Sequence, residues 1–356
     1  MQVKKNNPMI FFSGGGSGGS VMPLLAIIES LQATDLDLQF CWFGTKSGVE
    51  QQMVSEVLVP YISLPAGKWR RYFTWRNVTD VVFIFSGFVV SIYYIFKFSP
   101  KLVVTAGSFV SVPLAWAAWL CRVPIIAHQQ DVLPGLANRL MAPTASVISV
   151  VLASSLVDYG FKARHLGNPL RQAFLRSAQA EDDFLKTNSP EILILGGGQG
   201  ASGLNDIIES TLPELVKFCS VTHITGKGKK LHTIVSGYTA HEFVTATEMA
   251  RLIKKSDVVI SRAGLSTLSE LAYLSKPVML VPMPNSHQEI NAKYFSDHGA
   301  AILLDQINMD TKLFVLQIKS LLEDNDKKHK IGYTLHNLFP KESNQAFVTL
   351  VKSFLS

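Results

Sequence analysis

Met9-Ile10-Phe11-Phe12 runs into Ser13-Gly14-Gly15-Gly16-Ser17-Gly18-Gly19-Ser20 and then into an apolar, helix-like stretch from Val21 to Leu31. The pattern is a buried strand, a glycine loop and a helix. Such a unit directs bare backbone N–H groups and the positive end of a helix at one spot, which suits phosphate or pyrophosphate. The same unit recurs in the second half. Ile192-Leu193-Ile194-Leu195 leads into Gly196-Gly197-Gly198-Gln199-Gly200-Ala201, and a helical pattern follows from Leu204. Two such units predict two α/β domains facing each other, with an anionic ligand for each loop.

Working outward, further apolar runs alternate with helical patterns. In the first half they are residues 38–43, 61–64, 102–105, 124–127 and 147–151. In the second they are 221–224, the short Glu242-Phe243-Val244, 258–260 and 278–281. This alternation predicts doubly wound parallel sheets. Gly, Asn and Pro punctuate His165-Leu166-Gly167-Asn168-Pro169-Leu170-Arg171, which places the boundary there. The reading is an N-terminal domain over 1–164 and a C-terminal domain over 165–340. A last helix, within 341–356, is expected to pack back on the first domain.

The chain has 356 residues, enough for two domains, and 47% hydrophobic residues, enough for large cores. Its net charge of +6 favours an acidic partner. Cys41, Cys121 and Cys219 are scattered in apolar stretches. They read as buried thiols, not as a disulfide framework or a zinc site. The N-terminal apolar run breaks into glycine too early for a signal peptide and reads as a first strand.

Residues 81–96 form an uncharged run between Asp80 and Lys97. A membrane span needs roughly 20 apolar residues, so this run also suits a buried crossover helix. Before it lie Gly67-Lys68-Trp69-Arg70-Arg71-Tyr72-Phe73-Thr74-Trp75-Arg76. Basic residues interleaved with aromatic rings fit the boundary between water and anionic lipid. Trp69, Arg70, Arg71, Phe73 and Trp75 are therefore candidate membrane contacts. No RNA-binding motif accompanies them, and no nucleic-acid partner is expected.

The most specific stretch follows the strand at 258–260: Ser261-Arg262-Ala263-Gly264-Leu265-Ser266-Thr267-Leu268-Ser269-Glu270. Ala263 and Gly264 supply the turn. A carboxylate at Glu270, in the helix from Ser266, is placed to accept two hydrogen bonds from a ribose diol; an ordinary solvated glutamate is the competing reading. His287 and Gln288, in a polar cluster after the strand at 278–281, stand where α/β sheets place ligands and suit sugar hydroxyls.

The ordered series resembles the MurG family, N-acetylglucosaminyltransferases of peptidoglycan precursor synthesis with a GT-B fold. It comprises the first glycine loop, Gly44-Thr45 with Glu50, residues 105–111, His128-Gln129-Gln130-Asp131 with Gly135 and Asn138, and Gly167 to Arg171. It continues through 196–205, Thr225-Gly226-Lys227-Gly228, Glu242-Phe243, 261–270 and 287–292. The resemblance implies two Rossmann-like domains across a cleft and transfer of N-acetylglucosamine from UDP-N-acetylglucosamine to lipid I, giving lipid II with inversion. Lipid I is the undecaprenyl-pyrophosphoryl muramoyl pentapeptide. It further implies a peripheral enzyme on the cytoplasmic membrane face, serving cell-wall synthesis, shape and division.

Residue by residue, the family implies the diphosphate on Gly197, Gly198, Gln199 and Gly200, with Arg171 reaching it. Phe243 and Val244 take uracil, Glu270 the ribose, Ala263 and Gly264 the turn beside it, and His287 and Gln288 the sugar. The acceptor lies over Gly15, Gly16, Ser17, Gly18, Gly19 and Ser20, with Asn138 nearby. Charge grows on the leaving diphosphate, so fixed amides and a cation suffice in principle. No Asp-x-Asp pair lies near either glycine loop. No metal and no cofactor are expected.

The chain departs from the family pattern at several points. Ser20 stands where the first loop usually ends in histidine, and Gly107-Ser108-Phe109 replaces glycine-glycine-tyrosine. Gly198 stands for a usual serine, Gln129 for a glutamate, and Asp131 where asparagine is common. Three readings stay open. Asp131 or His128 acts as base, or positioning carries the rate, or the protein binds nucleotide sugar without turnover. His128 also reads as a loop support, Asp131 as a cap for a helix near Pro134, and His223 as a packed strand residue. Competing functions are another GT-B lipid glycosyltransferase, a UDP-N-acetylglucosamine epimerase, and a non-catalytic cell-wall scaffold.

Overall fold

A computed structural model describes residues 7–67, 75–181, 189–196, 201–229, 231 and 233–355; side chains of 75–79 are not described. The chain divides into two compact units, Met1–Arg171 with Pro340–Ser356, and Gln172–Phe339. In the first unit the elements are β1 (Met9–Ser13), α1 (Gly18–Gln32), β2 (Gln39–Gly44), α2 (Glu50–Ser55), β3 (Tyr61–Ser63), α3 (Trp75–Phe98) and β4 (Leu102–Thr105). Then come α4 (Ser111–Leu120), β5 (Ile125–Gln129), α5 (Leu136–Met141), β6 (Val147–Val150) and β7 (Ala163–His165). Seven parallel strands lie in the order β3-β2-β1-β4-β5-β6-β7. The order reverses between β1 and β4, so the first glycine loop leaves β1 at the switch point where such sheets bind ligands.

All five residues of β1 are buried, because helices cover both faces of the sheet. Strand alternation splits them between two cores. Ile10 and Phe12, with Trp42, pack under α1 beside Leu24, Leu25 and Ile28. Met9 and Phe11, with Cys41 and Phe43, pack toward α3 and α4 beside Ile95, Leu114 and Ala118. Burial pushes the Cys41 thiol up to about 12.

Helix α3 is the crossover from β3 to β4 and packs on α4. Asp80–Phe98 is long and apolar enough to cross a membrane by length and composition alone. Here it presents Val81, Val82, Phe83, Phe85, Val89, Tyr93 and Phe96 outward, while Ser91 and Ile95 are buried.

In the second unit the elements are α6 (Gln172–Gln179), β8 (Glu191–Leu195), α7 (Ser202–Leu215), β9 (Ser220–Ile224), β10 (Tyr238–His241), α8 (Ala246–Lys255) and β11 (Val258–Ser261). They continue with α9 (Leu265–Tyr273), β12 (Val278–Leu280), α10 (His287–Asp297), β13 (Ile302–Leu303), α11 (Thr311–Glu323) and α12 (Asn325–Asn337). Six parallel strands run β10-β9-β8-β11-β12-β13, with the switch between β8 and β11. Both strand ends at that switch carry sequence singled out above.

The last helix, α13 (Ser343–Lys352), belongs to the first unit. Phe347, Val348 and Val351 enter the core that also holds Ile10 and Leu24. Asn344 fastens it, accepting from Leu170 N–H at 3.0 Å and donating to Leu170 O at 2.8 Å and Ser30 Oγ at 2.9 Å. Gly167 has φ +75°, and a side chain there would strike Pro340 and Ser343.

One expected strand is corrected. Residues 242–244 are not a strand; β10 ends at His241. Glu242 instead accepts the Gly228 N–H at 2.9 Å. Thr245 then opens α8 through a reciprocal cap with Glu248, which requires the preceding chain to turn out of the sheet.

Candidate functional site

The first glycine loop is braced from behind. Its N-cap, Ser17, has no side-chain cap bond, so no side chain of the loop's own masks the positive end of α1. Glu50 is wholly buried and accepts from Gly16 N–H at 3.2 Å, Thr45 N–H at 2.8 Å and Thr45 Oγ1 at 2.5 Å. Trp42 Nε1 donates to Gly14 O at 3.2 Å. A side chain at Gly15 would run into Glu50, and Gly16 has φ +79° with the Phe109 ring beside it. Both positions therefore need glycine. Ser20 is buried, and its hydroxyl lies 3.0 Å from Gly15 O and 3.2 Å from Ser17 O. It closes the loop on itself.

The segment after β5 docks on that loop. Gln130 Nε2 donates to Gly19 O at 2.8 Å. Gln129 is buried, and its amide donates to Asp131 O at 2.7 Å and Leu133 O at 3.1 Å. Its carbonyl accepts from Asn138 Nδ2 and from Tyr159 OH at 3.3 Å. Only a group that both donates and accepts fills this place, which accounts physically for glutamine where the family pattern has glutamate. Asp131 is half-buried at the head of this segment. It does not cap α5, whose N-cap is Gly135.

His128 is wholly buried. Nδ1 meets Ser149 Oγ at 2.9 Å, Nε2 meets Asn168 Oδ1 at 3.1 Å, and the ring lies edge-on to Phe347 at 5.3 Å. Burial lowers its pKa to about 4. Asn138 is buried, and its Oδ1 has no partner among the described residues; the same holds for Thr105 Oγ1 and Ser108 Oγ. Asn138 Oδ1 faces Gly107. Orphaned buried oxygens are costly; Thr105 ends β4, Ser108 follows it, and Asn138 faces the turn between them.

Arg171, the last residue of the first unit's longer segment, is ion-paired. Nε meets Glu29 Oε1 at 2.7 Å, and Nη2 lies 3.7 Å from Glu56 Oε2. On the α3–α4 side an apolar groove of about 320 Å³ is lined by Phe88, Trp116, Trp119, Leu120 and Leu140. Trp69, Arg70, Arg71 and Phe73 lie outside the described residues, and Trp75 is the first residue of α3.

In the second unit, Gly197, Gly198, Gln199 and Gly200 lie outside the described residues. Helix α7 begins beyond them with no side-chain cap at Ala201. Ala263 is buried, and Gly264 is the N-cap of α9, again without a side-chain bond. Asn291, wholly buried on α10, donates to Ala263 O at 3.1 Å and fixes that turn. Glu270 is half-buried on α9, and no described residue donates a hydrogen bond to its carboxylate. Burial pushes its carboxyl up to about 8. A partly desolvated carboxylate left without donors is suited to a ligand's hydroxyls.

Gln288 has its carbonyl on Met283 N–H at 3.1 Å, while its own backbone N–H meets the Ser286 cap at 3.2 Å. His287, first in α10, is exposed. Phe243 is 73% exposed, a bare ring on a chain turn, with Val244 half-buried beside it. His223 is buried on β9 with Nδ1 3.1 Å from Tyr238 OH, and burial lowers its pKa to about 4. It is a packed residue. Glu50, Gln130, Asn291 and Arg262 had no role from sequence; each bond they make spans a loop, and no local spacing announces it. Among the described residues no cluster of three metal-ligating side chains occurs.

Two family models match: the glycosyltransferase family 28 N-terminal domain over residues 10–150 and the glycosyltransferase family 28 C-terminal domain over 191–337. The UDP-N-acetylglucosamine--N-acetylmuramyl-(pentapeptide) pyrophosphoryl-undecaprenol N-acetylglucosamine transferase of Clostridium kluyveri is 34% identical over 322 residues, covering 88% of this chain and 90% of that one. The protein of the same name from Legionella pneumophila (strain Paris) is 31% identical over 357 residues, covering 97% of each. Among solved structures, Acinetobacter baumannii MurG matches with TM-score 0.77 at 21% identity, covering 97% of this chain and 99% of that one. A UDP-GlcNAc 2-epimerase from Neisseria meningitidis bound to UDP-GlcNAc matches with TM-score 0.67 at 15% identity, covering 97% and 100%. At such identities the structural matches speak to the fold alone.

Proposed function

The chain belongs to glycosyltransferase family 28, with the GT-B pair of parallel-sheet α/β units, and from that membership we propose that it moves N-acetylglucosamine from UDP-N-acetylglucosamine to lipid I, making lipid II for peptidoglycan. The second unit takes the donor. Glu270 accepts the ribose hydroxyls, Phe243 and Val244 hold the uracil, and Gln288 with His287 meets the sugar. The loop at 197–200 takes the diphosphate on backbone amides. The first unit takes the acceptor, with the pyrophosphate over the loop at 15–20 and Asn138 beside it.

The muramoyl 4-hydroxyl attacks C1 of the donor sugar. The bond from C1 to the β-phosphate oxygen breaks, and its electron pair leaves with UDP. Attack opposite the leaving group inverts C1 and gives a β-1,4 link, with no metal required of the residues named. Asp131 takes the hydroxyl proton. It is half-buried on the segment that Gln130 docks to the glycine loop, whereas both nitrogens of His128 are engaged in the interior and Ser20 spends its proton on the loop. His128 is therefore a loop support in this reading. The apolar outer face of α3, with the basic-aromatic stretch before it, rests on the anionic cytoplasmic membrane surface as a peripheral contact.

The observation that carries the donor assignment is the carboxylate of Glu270, on the second turn of α9, to which no described residue donates. Turnover with a soluble lipid I analogue tests the base. Asp131→Asn is expected to cut kcat about 10²–10⁴-fold with the KM for UDP-N-acetylglucosamine held; unchanged kcat would remove Asp131 from the role. A second reading, nucleotide-sugar binding without turnover, draws on Ser20 in the histidine position. Turnover absent from the native chain and gained in Ser20→His would establish it.

A further inference from the structure

We propose that Arg262 is the buried cation that receives the anionic diphosphate of the nucleotide donor, a role that rests on the donor reading of the second unit. Arg262 follows β11 directly and is 7% exposed. Its backbone N–H bonds Leu195 O at 3.4 Å, which sets it beside the strand that feeds the second glycine loop. Its Nη1 donates to Val281 O at 2.7 Å. The guanidinium thus lies at the carboxyl edge of β11 and β12, on the ligand side of the sheet.

A guanidinium has five N–H donors, and a neutral carbonyl takes one here. Among the described residues no carboxylate pairs with it, and Glu270 eight positions on is not its partner. Desolvation lowers its pKa with no opposing charge to raise it. Two partly buried lysines of the unit are held differently. Lys255 pairs with Glu191 at 2.6 Å, and Lys276 donates to Lys254 O at 2.6 Å and Ser256 O at 2.7 Å with the Asp257 charge supporting it.

Buried charges are normally paired, so a cation held at 7% exposure without a carboxylate marks a place for an anion. Helix α9 starts three residues later with an uncapped N-terminus at Gly264, adding positive potential at the same edge. Four N–H groups in a planar fork match phosphate oxygens. As the bond from C1 to the β-phosphate oxygen breaks, negative charge grows on the diphosphate, and a fixed cation there favours departure.

The test uses the intact chain with Arg262→Met and Arg262→Lys. Affinities for UDP and uridine are measured by calorimetry, and melting temperature is followed with UDP, pyrophosphate or inorganic phosphate added. Arg262→Met is expected to bind UDP at least tenfold more weakly and uridine as the native chain does. Its unliganded melting temperature should match or exceed the native value, because an uncompensated charge is gone, and its pyrophosphate shift should vanish. Arg262→Lys should fall between. Equal losses for UDP and uridine with a lower melting temperature would overturn the proposal, leaving a support for the turn after β12. Inorganic phosphate stabilising the native chain as strongly as UDP would overturn the donor part. Native binding of UDP with unchanged binding by Arg262→Met would sink Arg262 alone; absence of native UDP and uridine binding would sink the donor reading with it.

Discussion

Replacing Glu270 with alanine tests the donor site through a pH signature. The folded carboxyl sits near 8, held there by burial. Ribose hydroxyls donate best to the ionised form, so binding must release a proton wherever the free carboxyl is protonated. Hydrogen bonds to a charged group are worth about 1.5–3 kcal/mol, or about 13- to 160-fold in affinity. At pH 7, ionising a group with pKa about 8 costs about 1.4 kcal/mol of that. The alanine variant should therefore bind UDP about 1- to 15-fold more weakly at pH 7, and the gap should open to the full range at pH 9. Calorimetry between pH 7 and 9 stays above the last phosphate ionisation, at about 6. Native affinity should tighten across that window and the variant's should not. The stability sign runs the other way. An unfolded glutamate ionises near its model value of 4.5, so the empty native chain loses stability from there up to about 8, and Glu270→Gln should abolish that loss. Equal pH slopes for native and alanine chains would refute the assignment.

Glu50→Ala removes the wholly buried acceptor of the Gly16 and Thr45 N–H groups. Each lost hydrogen bond is worth about 0.5–1.5 kcal/mol net, so thermal melting should show a clear loss, while a lipid I analogue should bind more weakly than loss of fold explains. Undiminished acceptor affinity in the folded fraction would free the loop from Glu50. Replacing Trp69, Arg70, Arg71 and Trp75 together should release the protein from anionic vesicles with UDP binding intact; vesicle binding retained at low and high salt would reject that surface.

The sheet framework was legible because fully buried parallel strands are continuous apolar runs. Ile192 to Leu195 and Leu102 to Thr105 needed nothing more. Glu242-Phe243-Val244 reads equally well as a strand, and only the Thr245–Glu248 cap, a reciprocal side-chain contact, turns it out of the sheet. Strands β7 and β13 are too short to show a period. At the site, glycine at 15 and 16 could be read as a loop, but the reason both are glycine lies in Glu50 and Phe109, distant in sequence. His128 looked like a base until Ser149 and Asn168 closed over both nitrogens. Arg262 escaped notice for the opposite reason. Its significance is a missing partner, and a sequence does not display what fails to pair.

The most direct measurement is the product formed from UDP-N-acetylglucosamine with and without a soluble lipid I analogue. Acceptor-dependent release of UDP, with one N-acetylglucosamine joined β-1,4 to the muramoyl sugar, is the result expected. UDP-sugar consumed at the same rate without acceptor, or converted to its 2-epimer, would contradict the account.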